Sequence, residues 1–192
     1  GTDSTNNELT IDTTAPTITV NNRSTNDTTP SLSGNVNDAA ATISIQVGGN
    51  TYPATNNGAT WTLADNTITP ALTPGTYNVV ATATDTNGNA GTDGTNNELI
   101  VDTAAPTVTV NSLTTNDTTP PLSGTVDDSN ATISVTVGGN TYTATNNGTT
   151  WTLNNNVISP ALAPGTFDVA VTATDTFGNV GSDGSSDELV ID

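Results

Sequence analysis

Residues 43–63 read ISIQVGGNTYPATNNGATWTL, and the pattern of this stretch decides the fold. Ile43, Ile45 and Val47 alternate with polar residues, GGN makes a turn, Tyr52 and Ala54 alternate again, and Trp61 and Leu63 do so a third time. Period-two alternation broken by Gly and Asn predicts half-buried strands joined by tight turns. Upstream the pattern continues through Ile18 and Val20, then Leu32, Gly34 and Val36; downstream it continues through Tyr77, Val79, Ala81 and Ala83, then Leu99 and Val101. No stretch has a helical period. Seven short strands predict two antiparallel sheets packed face to face with Greek-key connections, an immunoglobulin-like sandwich; a closed barrel is the alternative.

The pattern occurs twice. DTTAPTITV at Asp12 to Val20 returns as DTAAPTVTV at Asp102 to Val110, and TNNGATWTL ending at Leu63 returns as TNNGTTWTL ending at Leu153, both at an offset of 90. The copies are about two-thirds identical, loops included. TNNELTID at 5–12 returns as TNNELIVD at 95–102 and as SSDELVID at 185–192, so residues 1–12 read as the closing strand of a preceding repeat. Residues 13–102 and 103–192 then form two tandem domains, expected end to end, with more of the array expected upstream.

Composition narrows the function. One cation, Arg23, stands against 19 carboxylates, for a net charge of −18. Nucleic acid and anionic membrane are therefore excluded as partners, since phosphate binding needs Lys and Arg. No apolar run approaches the roughly 20 residues of a membrane span, so no direct membrane insertion is expected, and the first residues lack the basic and apolar regions of a signal peptide. Cysteine is absent, so the domains do not rely on disulfides. Without His, Cys or Lys the usual general bases and activated nucleophiles are missing too, and no enzyme is expected. The acidity itself has two readings: solubility, or a demand for metal cations.

The linker DTTAPT, the segment TNDTTPSLSG and the run ATATDTNGN recur together in both copies. Together they resemble the bacterial Ig-like repeats in the extender regions of large secreted adhesins, including the calcium-dependent adhesins of the RTX type. The resemblance spans the chain. It implies a rod of many such domains on the surface of a Gram-negative cell, extracellular and monomeric, whose partners are neighbouring repeats and whose joints are stiffened by calcium. The antibody disulfide is missing and the tryptophans fall on the fifth strand, so antibody-like binding by the loops does not follow.

In a sandwich of this topology the linker, the turn between the second and third strands and the loop between the sixth and seventh share one end. In the second repeat these segments hold Asp102, Asp127, Asp128, Asp175, Asn179, Asp183 and Glu188; in the first they hold Asp12, Asp38, Asp85, Asn89, Asp93 and Glu98. Asp27 and its counterpart Asp117 come from the opposite-end loop, and Asp192 repeats Asp102. Carboxylates 4 Å apart repel by about 1 kcal/mol in water and about 4 at an effective dielectric of 20. A hard cation removes that cost, and calcium accepts six to eight oxygens of the kind offered here, which zinc and copper sites do not favour. The alternative is an acidic end without a cation. Asp85, Asn87, Asn89 and Asp93 have EF-hand spacing but lack the closing Glu and flanking helices, so that motif is set aside. Asp65, Asp168 and Asp187 face Asn in the other copy and read as solvated surface.

Two function classes remain: an extender that holds a distal binding domain away from the cell, and a module that itself binds carbohydrate or a receptor. Near-identical loops favour the extender, because binding loops diversify.

Overall fold

The computed structural model describes residues 11–192; most of the closing strand expected at 1–12 lies outside the described residues. The described residues are all β, without a helix, and divide into two compact units that part between Asp102 and Thr103.

In the first unit the strands are β1 (Arg23–Thr25), β2 (Leu32–Asn35), β3 (Thr42–Val47), β4 (Asn50–Asn56), β5 (Thr60–Leu63), β6 (Gly75–Tyr77), β7 (Val80–Thr84), β8 (Ala90–Thr92) and β9 (Leu99–Val101). They form one sheet in the order β2-β5-β4-β3-β7-β8 and another in the order β1-β9-β6. The second unit repeats this with β10 (Leu113–Thr115), β11 (Leu122–Thr125), β12 (Thr132–Val137), β13 (Asn140–Asn146), β14 (Thr150–Leu153), β15 (Gly165–Phe167), β16 (Ala170–Thr174), β17 (Val180–Ser182) and β18 (Leu189–Ile191). Along β4, Asn50 to Ala54 pair with β3 while Thr55 and Asn56 pair with β5, so this strand joins the two halves of the six-stranded sheet.

The alternation seen in the sequence is the burial pattern. Ile45, Val47, Trp61, Leu63, Val79, Ala81, Ala83 and Leu99 are all buried in one core, and their counterparts form a second. Tyr52 is buried with its hydroxyl bonded to the Thr69 carbonyl, whereas Tyr77 is half-buried and its hydroxyl donates to the Thr73 carbonyl.

Three departures from the seven-strand reading have local causes. The strand expected around Ile18 is a single bridge to Val36, continued by Thr19 and Asn21 N–H bonds to Asn35 and Ser33; the chain then crosses layers, and β1 pairs in parallel with β9. The strand expected over 77–83 is broken between β6 and β7 at Asn78–Val79. There the Val79 N–H donates to Glu98 Oε2 (2.9 Å) and the Asn97 N–H donates to Asn78 Oδ1 (2.9 Å), a reciprocal clasp that satisfies the amides freed by the break. β8, which the sequence reading missed, pairs with β7 as β9 pairs with β6.

Two glycines are required by close approach. A Cβ on Gly34 would lie 1.8 Å from the Thr19 carbonyl oxygen, and one on Gly91 would lie 1.8 Å from that of Pro16. The missing side chains let the entering segment lie directly against the strands. Overpacking there has no soft neighbour to displace, so Gly34→Ala is expected to cost about 3 kcal/mol or more in the first unit, while Gly94→Ala, with open space around it, stays within about 0.5 kcal/mol. Urea denaturation with each unit followed by its own tryptophan checks both.

Candidate functional site

Asp12, Asp38 and Asp85 come together around one depression in the first unit, of about 300 Å³, lined also by Pro16, Asn37 and Asn87. Each carboxylate is held by short-range bonds that follow from its loop. Asp12 accepts the Thr14 N–H through Oδ1 (2.9 Å) and the Asn87 side-chain amide through Oδ2 (3.0 Å). Asp38 accepts the Ala40 N–H (2.8 Å), the Asx turn that short acidic side chains favour. Asp85 accepts the N–H groups of Asn87 and Asn89 through Oδ1 and the Asn89 side-chain amide through Oδ2, each at 2.8 Å. Asn89 also reaches the Asp12 carbonyl, so linker and loop are joined directly.

The bonds to Asp85 stabilise its charged form. The Asp85 carboxyl is held below its ordinary value first by the Asn89 side chain and then, against burial, by backbone N–H groups of the same loop. Burial pushes the Asp175 carboxyl up but is outweighed by Asn179 and the backbone amides of Asn179 and Phe177, so it too is lowered. Asp127 is lowered chiefly by the Thr107 backbone.

The remaining residues named from the sequence take other places. Asp127 Oδ1 accepts the Thr107 N–H (2.7 Å), the bond that Asn37 makes to Thr17 in the first unit, so it fastens the entering strand. Asp128 accepts the Asn130 N–H, and Asn179 is buried against Asp175. Asp93 and Asp183 close turns on Thr95 and Ser185. Glu98 and Glu188 are buried in the clasps at Val79 and Val169, apart from the acidic depression; their Oε1 atoms are buried without a hydrogen bond. Asp27 and Asp117 cap turns on Thr29 and Thr119, and the former is lowered first by the Thr29 backbone. The N–H groups of Asp102 and Asp192 donate to the carbonyls of Thr25 and Thr115. Asn87, set aside with the EF-hand motif, does line the depression; its signal was the DTNGN spacing itself.

The depression presents carboxylate, amide and carbonyl oxygens, the donor types of a hard cation. Among the described residues, no three carboxylates lie close enough to hold one ion between them.

Fold and site together define an immunoglobulin-like sandwich built as a tandem repeat. The chain matches the bacterial Ig-like domain family over residues 4–103 and 107–192, and it belongs to that family. No curated protein matches it. Similar solved structures include the fibronectin(III)-like modules of Clostridium thermocellum CbhA, 13% identical over 91% of this chain and 93% of that one, with a TM-score of 0.49. A 1.5-MDa bacterial ice-binding adhesin is 25% identical over 92% of this chain, with a TM-score of 0.45. A tetra-tandem repeat from the extending region of a large adhesion protein is 30% identical over 90% of this chain, with a TM-score of 0.36. The chain spans 65% and 48% of the two adhesin structures.

Because Asp85 and Asp175 have lowered values in the folded state, their stabilisation is complete above the unfolded carboxylate value and is lost as pH falls through the folded one. Relief of the general repulsion works the other way, so the test is run without calcium at about 1 M NaCl, where the Debye length is about 3 Å. The melting temperature should fall between about pH 5 and pH 3, and Asp85→Asn/Asp175→Asn should start lower and fall less steeply.

Proposed function

We propose that the chain is an extender segment of a bacterial surface adhesin, a spacer that holds a distal binding domain away from the cell, with neighbouring repeats as its partners and calcium as its rigidifying ion. The observation that carries this reading is the repetition of one acidic end: Asp12, Asp38, Asp85 and Asn89 recur at an offset of 90 as Asp102, Asp128, Asp175 and Asn179. A spacer needs the same joint over and over, and a chain of net charge −18 gains from a cation wherever its carboxylates crowd. The depression lined by Asp12, Asp38 and Asp85 supports the cation, with amide oxygens, backbone carbonyls and water completing the shell. Membership of the bacterial Ig-like family supports the extracellular placement.

At a hundredfold excess of calcium over its Kd, binding to the folded state alone adds about 2.7 kcal/mol, a rise of roughly fifteen degrees in melting temperature for a domain of this size. Calorimetry in calcium and in EDTA should show that rise, Asp85→Ala should abolish it for the first unit, and Asp65→Ala should preserve it. Superimposable curves would remove calcium from the proposal but leave the spacer standing. The spacer is tested by pulling: two unfolding events are expected, each releasing about 300 Å of contour for 90 residues. Extension without discrete events would contradict it.

A further inference from the structure

The two repeats differ most usefully where the first strand changes layers. In the second unit Thr109 and Asn111 bond to β11, and two residues later β10 pairs with β18 in the other sheet. The crossing leaves a wedge beside the ends of β11 and β14. In the first unit Arg23 bridges the corresponding wedge, its Nη1 donating to Ser31 Oγ at 3.3 Å. The second unit has Leu113 and Pro121 at those two positions, neither of which can reach across, and a groove of about 360 Å³ lies there.

We propose that this groove binds a neutral sugar residue, such as the terminal unit of a glycan. Its polar lining consists of the carboxamides of Asn111, Asn154 and Asn155 and the hydroxyls of Ser112, Ser123 and Thr152. Asn111 spends its amide on Ser123 Oγ and keeps its carbonyl to accept, while Asn155 spends its carbonyl on the Asn156 N–H and keeps its amide to donate. The groove thus offers both halves of the pairing that sugar hydroxyls require. Its apolar part is Leu113 and Pro121, with Leu122 and Leu153 buried beneath, a surface for the C–H face of a pyranose ring.

Charge selects among ligands. In a chain of net charge −18 no ionised side chain lines this groove, whereas the first unit has Arg23 and Asp65 at the equivalent positions. A cation finds no carboxylate and an anion finds no countercharge. The volume lies at the small end of the roughly 300–1,000 Å³ typical of ligand pockets, which suits one or two rings and not a peptide or lipid chain.

The test is a nitrogen–proton NMR titration of the whole chain with methyl glycosides of glucose, galactose, mannose and N-acetylglucosamine, to roughly 50 mM, because a Kd near 1 mM is expected of so open a site. At least one sugar should shift Asn111 to Leu113 together with Asn154 and Asn155, and leave the first unit unmoved. L113R/P121S, which installs the first unit's own bridge and is therefore tolerated by the fold, should weaken that binding by about tenfold or more. No shift with any sugar, shifts spread over both units, or equal binding by L113R/P121S would each overturn the proposal. None of these outcomes bears on the spacer, which does not depend on the groove.

Discussion

The bond from the Trp61 indole N–H to the Thr19 carbonyl (2.9 Å), repeated from Trp151 to Thr109 (2.8 Å), is the constraint from which much else follows. A wholly buried indole must place its one donor on an acceptor or lose the cost of desolvating it. The acceptor available is the backbone of the entering strand. That carbonyl can come within reach only because Gly34 and Gly124 present no Cβ beneath it. Three positions thus anchor an otherwise short strand that makes one ladder bridge of its own.

Once Thr19 is anchored, the segment before it has little freedom. Ile18 meets Val36, Thr17 exchanges bonds with Asn37, and Pro16 lies against Gly91 on β8. Asp12 is thereby delivered to the loop after β7, where Asn87 and Asn89 hold it. The position of the acidic depression is therefore set from the core outward, through glycines that carry no chemistry themselves.

Much of this architecture was legible because strand alternation is a direct image of burial: Ile43, Ile45, Val47, Trp61 and Leu63 announce which face is inside. What could not be read was where a strand breaks. Tyr77 to Ala83 alternates without interruption, yet the chain shifts at Asn78, because Glu98 and Asn78 supply bonds across the gap that no one-dimensional pattern contains. The same blindness affected the site. Topology was enough to bring Asp12, Asp38 and Asp85 to one end, but proximity along the chain also drew in Asp93 and Glu98, which turn onto their own backbone or into the core. Asp127 shows a third point the pattern did not carry: its Oδ1 accepts the Thr107 N–H, the same bond that the uncharged Asn37 makes to Thr17 in the first unit.

The comparison of Asn37 with Asp127 also explains why Asp85 and Asp175 retain the charge in both copies. A single backbone N–H asks for one acceptor oxygen, which an amide has. Asp85 receives two backbone N–H groups on one oxygen and a side-chain amide on the other. An asparagine in its place would turn an NH₂ group towards one of those donors, donor against donor, and Asp175 faces the same three groups from Phe177 and Asn179. The carboxylate is thus required by the loop's own geometry before any cation is considered. The loop's shape is therefore held by its own backbone and side-chain donors, with Asp85 and Asp175 as the acceptors on which they converge.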